Sequence, residues 1–253
     1  MMDKSLLATI NDLKRKMSGC RPLNATEVME LHKQFVVENT YNSNAIEGNT
    51  ITLRETAMII QGGITIGGKS IQEHLDIVGH KDAIEYVYSL ADDKRELSEF
   101  TIKEIHSLVL AADSANKGVY RRLPVAVGGH QPPEPALVPQ MMEGMVDEYA
   151  RRKMSSHPVE AAAWLHLQFE NIHPFIDGNG RTGRLLLNFE LLKSGLLPID
   201  IKFSDKESYY RCFEAFDRQK DAAPMVNLVA KYEIQALDKY IQMLPLQQPV
   251  QGR

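Results

Sequence analysis

Two stretches of this chain are apolar on nearly every face, and one short polar segment joins them. The first, within 159–172, contains AAAWLHLQF and ends at Ile172; the second, 185–192, reads LLLNFELL. A surface helix shows a single apolar stripe, whereas a helix that is apolar all round belongs in the interior. The chain is therefore expected to fold around two central helices. The polar residues between them, HPFIDGNGR, are where chemistry is to be sought.

Helical periodicity dominates elsewhere. Leu6, Leu7, Ile10, Leu13 and Met17 form a first stripe, and a second helix is expected from Asn24 or Thr26 through VMELHKQFVVEN, with Gly48 as a stop. Further helices are predicted over 52–61, 70–91, 98–111, 137–153, 158–172, 181–194, 204–218 and 223–242, with Thr52, Ser98 and Ser204 as N-caps and Pro158 in a first turn. One place reads as β: Val125 and Val127 alternate before Gly128-Gly129, which predicts a short hairpin that Pro132, Pro133 and Pro135 keep from extending. The fold class expected is mainly α, a helical bundle with one short β-hairpin.

Composition excludes several classes. With 253 residues and 43% hydrophobic content the chain can bury a core. A net charge of -4 argues against a general electrostatic nucleic-acid binder. Two cysteines, Cys20 and Cys212, make no disulfide framework and no CxxC zinc pair. The start lacks the apolar region of a signal peptide, and no apolar run approaches the ~20 residues of a membrane span. The expectation is a cytoplasmic protein without membrane or nucleic-acid partners.

The linking segment, His173-Pro174-Phe175-Ile176-Asp177-Gly178-Asn179-Gly180-Arg181-Thr182-Gly183-Arg184, has its own physics. Gly178 and Gly180 permit positive φ and close backbone approach to a ligand. Successive N–H groups there form an anion nest, and the following helix points its positive end at the same spot. Arg181 and Arg184, three apart, share a helix face. Together these describe a polyphosphate site. Asp177 offers a carboxylate to a hard cation bridging phosphate oxygens. His173, as a neutral imidazole, can take a proton from an attacking hydroxyl. Phe175 is expected to anchor the loop in the core. A capping turn with two solvated arginines is the structural alternative, and it accounts poorly for all these residues within twelve positions.

The segment HPFIDGNGRTGR resembles the signature of the Fic family, HxFx(D/E)GNGRxxR, at every defined position, and the likeness extends from about Asn42 to about Ala230. The resemblance implies a largely helical fold that transfers AMP from ATP to a Tyr, Thr or Ser hydroxyl of a target protein or of itself. It implies His173 as general base, Asp177 as ligand to Mg²⁺ or Mn²⁺, and Gly178, Asn179 and Gly180 as phosphate cradle. Arg181, Thr182, Gly183 and Arg184 would complete the nucleotide site, with both arginines holding the polyphosphate. Ala115, Asn116, Lys117 and Gly118 resemble a turn that touches ATP, and Tyr209 and Tyr210 resemble paired tyrosines beside the adenine. Asp217 stands where many relatives carry Asn, and a carboxylate cannot donate as an amide does. The hairpin around Val125–Gly129 resembles the family's flap, whose edge would pair with an extended target segment. Gly180 fits the AMP-transferring branch.

Ser43-Asn44-Ala45-Ile46-Glu47-Gly48-Asn49 resembles the family's inhibitory motif, (S/T)xxxE(G/N), in which the Glu pairs with the second signature arginine, here Arg184. If Glu47 holds that cation, a γ-phosphate loses its partner. The implied organisation is a helical extension over 1–41, which also offers a surface for self-association, an inhibitory segment over 42–50, a catalytic domain over 51–245 with its core at about 98–232, and a flexible tail over 246–253.

The same site could remove AMP from a modified target, with Glu47 positioning water. Gly63-Ile64-Thr65-Ile66-Gly67-Gly68-Lys69-Ser70 satisfies GxxxxGK(S/T), but a P-loop NTPase needs a strand before that loop, and LRETAMIIQ reads as helix. A binding module with a vestigial site conflicts with the intact signature. His166 and Glu170 share a helix face, but HLQFE is not HExxH.

Overall fold

The computed structural model describes residues 3–19, 23–128 and 131–244, and ten α-helices carry the fold. They are α1 (Lys4–Ser18), α2 (Ala25–Ile46), α3 (Leu53–Gly62), α4 (Ile71–Asp92), α5 (Glu99–Val109), α6 (Val138–Ser155), α7 (Pro158–Ile172), α8 (Asn179–Lys193), α9 (Lys206–Gln219) and α10 (Ala223–Met243). Their starts follow local chemistry. Asn24, Thr52 and Ser70 each accept from the N–H three residues on, while Glu27, Glu55 and Glu73 reach back to the cap N–H. Pro158 stands in the first turn of α7, where its missing N–H costs nothing.

The core explains why α7 and α8 are apolar on all sides. Val159, Ala162, Ala163 and Leu167 of α7, with Leu187 and Leu191 of α8, pack into one cluster with α1, α9 and α10. Ala161, Leu165, Phe169 and Ile172, with Leu185, Leu186 and Phe189, pack into a second with α4, α5 and α6. The pair is thus sandwiched, and each Val, Leu, Ile or Phe side chain removed from water contributes roughly 1.5–3 kcal/mol. The predicted stripe of α1 holds too: Leu7, Ile10 and Leu13 sit in the first cluster.

Three local expectations are corrected. The helix predicted from 181 begins at Asn179, because Gly178 turns the backbone at φ 75 and lets the helix start directly after it. Ser204 is not an N-cap: Phe203–Asp205 forms a short 3-10 turn, and no side chain caps α9. The β-hairpin flap over Val125–Gly129 is not seen; among the described residues there is no strand, only a single bridge position at Val127. Gly129 lies outside the described residues, as does the tail over 246–253. The physical reason is competition for backbone acceptors. The Arg121 guanidinium takes Leu123 O and Pro133 O on either side of the segment, and Pro124 has no N–H to offer.

The P-loop pattern follows helix α3 rather than a strand. Lys69 Nζ donates to Thr50 O at 2.6 Å and to Thr50 Oγ1 at 2.9 Å, and Ser70 caps α4. Those groups fasten a linker, and no phosphate cradle forms there. Among the described residues no helix is long and apolar enough to cross a membrane.

One core group carries a pH dependence. Glu233 of α10 is fully buried; Oε1 accepts from Leu197 N–H at 3.0 Å and Oε2 has no partner. Burial pushes its pKa from 4.5 up to about 7. The folded protein therefore keeps a proton that the unfolded chain loses above about pH 4.5. Stability attributable to this residue falls as pH rises from about 4.5 to about 7 and is level on either side, a loss of roughly 3 kcal/mol. Glu233→Gln is expected to remove that slope, read as urea midpoints for both proteins at pH 5 and pH 8.

Candidate active site

Helix α7 ends on His173, which adopts φ 49 and ψ 63. A side chain other than glycine rarely holds this left-handed conformation, and such residues concentrate at functional sites. The loop after it is closed by Asn179. Its Oδ1 accepts from Phe175 N–H and its Nδ2 donates to Phe175 O, both at 2.9 Å. The Asn179 side chain is thus occupied inside the loop. Phe175 is buried as expected, stacked on His106 with centroids 3.6 Å apart.

His106 joins two predicted segments. Its Nδ1 accepts from Gly118 N–H at 2.8 Å, and its Nε2 donates to Asp177 O at 2.9 Å. Burial pushes its pKa down to about 4, so the ring is neutral at pH 7 and can accept on one nitrogen while donating on the other. The turn Ala115–Gly118 is thereby tied to the back of the loop. Gly118 is required there: it holds φ 69, and a Cβ would meet Ser107 Oγ at 2.3 Å.

Arg121 pins the other side. Nearly buried, it donates from Nε to His173 O at 2.8 Å, from Nη2 to Pro133 O at 2.5 Å and Ile172 O at 3.4 Å, and from Nη1 to Leu123 O at 3.3 Å. Its own N–H donates to Pro174 O at 2.9 Å. One guanidinium therefore sets the carbonyl on each side of the α7 terminus. Arg121→Ala strips these carbonyls of a donor and is expected to cost about 3 kcal/mol in urea unfolding. Arg121→Lys should recover little, because an ammonium cannot span the same fork.

The two signature arginines are both held by acids from earlier in the chain. Arg184 donates from Nη2 to Glu47 Oε1 at 2.7 Å and to Ser43 O at 2.9 Å, and from Nε to Ser43 Oγ at 2.9 Å. Arg181 pairs with Asp76 Oδ1 of α4 at 2.9 Å, with Asp177 Oδ1 at 3.8 Å. Gly180 adjoins the first clasp: a Cβ there would lie 2.2 Å from Glu47 Oε1, so glycine is what lets the carboxylate reach Arg184.

A cavity of about 430 Å³ opens against these residues. It gathers His173, Gly180, Arg184, Tyr209, Tyr210 and Asp217 with Glu47. Other expected residues lie beside or behind it. Ala115–Gly118, Asp177, Gly178, Asn179 and Arg181 are in the adjoining turn and loop, and Ser43 backs Arg184. Thr182 is fully buried, and Gly183 packs against Glu170 and His166. The tyrosine pair divides: Tyr209 is buried and donates to or accepts from His166 Nε2 at 2.6 Å, while Tyr210 is exposed at the rim. A wider cavity, lined among others by Leu31, Val37, Leu53 and Met243, lies between α2, α3 and the end of α10, away from the signature.

The donor set near the loop fits a hard cation. Asp177 takes Gly178 N–H on Oδ1 at 2.6 Å, and its side chain is 71% exposed. Mg²⁺ uses one or two carboxylates together with substrate phosphates and water, so a single exposed carboxylate beside a glycine-rich helix start suffices. Among the described residues no group of three or more His, Cys, Asp or Glu side chains is gathered for a metal.

His106, Arg121, Asp76 and Glu170 were not singled out as site residues from the sequence. Only the pairing of Glu170 with His166 on one helix face was visible there, and it pointed to a different chemistry.

Comparison with known proteins adds the following. The family model described as Fic/DOC family matches residues 96–191. A protein named protein adenylyltransferase Fic from Drosophila grimshawi is 35% identical over 244 residues, covering 95% of this chain and 50% of that protein. The chain thus spans about half the length of the curated relatives it matches. A Fic domain containing signaling protein from Bacteroides thetaiotaomicron superposes with TM-score 0.86 at 32% identity, covering 92% of this chain and 96% of that one. Fic-1 (residues 134–508) from C. elegans superposes with TM-score 0.86 at 30% identity, covering 94% and 72%.

Proposed function

The chain belongs to the Fic/DOC family, and from that premise we propose that it is an autoinhibited protein adenylyltransferase, moving AMP from ATP onto a Tyr, Thr or Ser hydroxyl. The observation that carries this is the clasp of Glu47 on Arg184 at 2.7 Å, at the edge of the cavity that His173 lines. The curated relatives named protein adenylyltransferase support the reaction class.

His173 takes the proton of the target hydroxyl; the oxygen attacks the α-phosphorus, the bond to the bridging oxygen breaks, and pyrophosphate leaves. The N-terminal turn of α8 and the two arginines hold the phosphates in line, so position and charge do the catalytic labour without a covalent enzyme intermediate. Asp177 would hold the Mg²⁺ or Mn²⁺ that neutralises the phosphate oxygens. Tyr210, at the rim, and Tyr209 behind it form the wall assigned to the adenine. The target protein docks at the mouth, near Val127 and Gly128, through the exposed Val127 and the neighbouring exposed Leu123.

In the resting state Arg184 is not available to a γ-phosphate, because Glu47 and Ser43 use three of its donor contacts. A triphosphate entering there also meets the Glu47 charge. Residues 42–50 act as the inhibitory segment, 51–245 as the catalytic region and 1–41 as its extension. A second reading, removal of AMP from a modified target, is favoured by one observation: the Glu47 carboxylate lines the same cavity as His173, where it could hold an attacking water. The deciding experiment is incubation of Glu47→Gly protein with lysate and ATP labelled on its α-phosphate, followed by mass spectrometry of labelled proteins. Label absent from every protein, this one included, overturns the first reading; release of AMP by wild type but not Glu47→Gly supports the second.

A further inference from the structure

His173 has a carboxylate at its back. Glu170 stands one turn earlier on α7, and its Oε2 lies 3.6 Å from His173 Nδ1, with both side chains largely buried at 13% and 14% exposure. The other oxygen, Oε1, is buried without a partner. So is His166 Nδ1, one turn further back on the same face. Both atoms converge on Gly183 of α8: a Cβ there would lie 2.5 Å from Glu170 Oε1 and 2.6 Å from His166 Nδ1. Glycine at 183 is what leaves room for this pair between the two central helices.

A row of polar groups continues behind the carboxylate. His166 is fully buried, and burial pushes its pKa down to about 3, so it is neutral and carries one N–H. Its Nε2 meets Tyr209 Oη at 2.6 Å, and Arg184 Nη1 reaches the same oxygen at 3.4 Å. Arg184 can only donate, so Tyr209 Oη accepts from it. The Glu170 carboxylate presents Oε2 to His173.

We propose that Glu170 is the positioning residue for His173: its Oε2 accepts from the imidazole Nδ1–H and leaves the lone pair on Nε2 to meet the target hydroxyl. A free imidazole has no such fixed choice, and the nitrogen that carries the proton is set by the hydrogen bond the other side makes. At 3.6 Å the contact is longer than a hydrogen bond, as catalytic contacts often are before substrate closes the site. The same device, a carboxylate behind a histidine, selects the tautomer in hydrolytic triads. The inference deepens the function proposed above and rests on His173 being the base.

Two measurements test it separately from that function. The first is ¹⁵N NMR of the His173 ring in wild-type protein, at a pH where the ring is neutral. The Nδ1–H tautomer is expected in wild type and the Nε2–H tautomer in Glu170→Ala; finding Nε2–H in wild type overturns the proposal whether or not any transfer is seen. The second is steady-state kinetics in the Glu47→Gly background. Adding Glu170→Ala should lower kcat on the order of 100-fold while KM for ATP stays within about twofold. Glu170→Gln should restore most of kcat, because its carbonyl oxygen still accepts from Nδ1–H. A kcat unchanged by Glu170→Ala, or an equal rise in KM, counts against positioning. If Glu47→Gly itself transfers nothing, the adenylyltransferase assignment fails and the tautomer alone decides the role of Glu170.

Discussion

Glu47→Gly is expected to transfer AMP faster than wild type by roughly tenfold to 150-fold, read as α-labelled ATP incorporated into protein. The size follows from what Arg184 loses. The pair is 2.7 Å long, with Arg184 5% exposed on its side chain and Glu47 36% exposed. Breaking a fully buried pair costs ~3–5 kcal/mol, and the exposure of the carboxylate screens part of this, leaving about 1.5–3 kcal/mol that a γ-phosphate must otherwise overcome. Each 1.4 kcal/mol is about tenfold. Glycine brings little damage of its own. Residue 47 is the C-cap of α2 at φ -83 and ψ 0, and Gly there costs only backbone freedom. Glu47→Gln, with the shape kept and the charge removed, should lie between the two. Activity equal to wild type in both variants would mean that Arg184 is not the limiting contact.

Removing the imidazole should act in the opposite direction and more strongly. His173→Ala in the Glu47→Gly background is expected to lose ~10²–10⁴-fold in transfer, the usual worth of a positioned general base, with nucleotide affinity little changed. The backbone at 173 complicates alanine. At φ 49 the residue is left-handed, which Ala tolerates worse than Asn. His173→Asn is therefore the cleaner variant: it keeps the turn and still lacks a base. If Asn supported transfer near the parent rate, the residue would be a helix terminus and nothing more. If both variants fail while ATP binds as before, measured by calorimetry, the imidazole is acting on the chemistry.

The linking segment was legible because its chemistry is contiguous. Glycines, arginines, a carboxylate and a histidine lie within twelve positions, and the apolar stretches on either side require that they meet in the interior. The helices were legible for the same local reason: caps such as Thr52 and Ser98 and the 3.6-residue periodicity are written within a few residues. The Glu47–Arg184 clasp, 137 positions apart, was expected only through family resemblance. Val125 and Val127 misled because alternation is a local signal. The backbone there is decided by Arg121, which ties Leu123 and Pro133 to the end of α7.

The amino-acid sequence by itself determined a helical protein with two central helices and a glycine-rich turn between them, because periodicity, caps and glycine freedom operate over a few residues. Tertiary structure alone decided which cations are occupied and what stands behind His173. Asp76 reaches Arg181, His106 bridges residues 118 and 177, and Glu170 and His166 face Gly183 only after α4, α5, α7 and α8 have packed. Hydrogen bonds and ion pairs fall away within a few ångströms, and which distant side chains come that close is set by the packing of the whole chain.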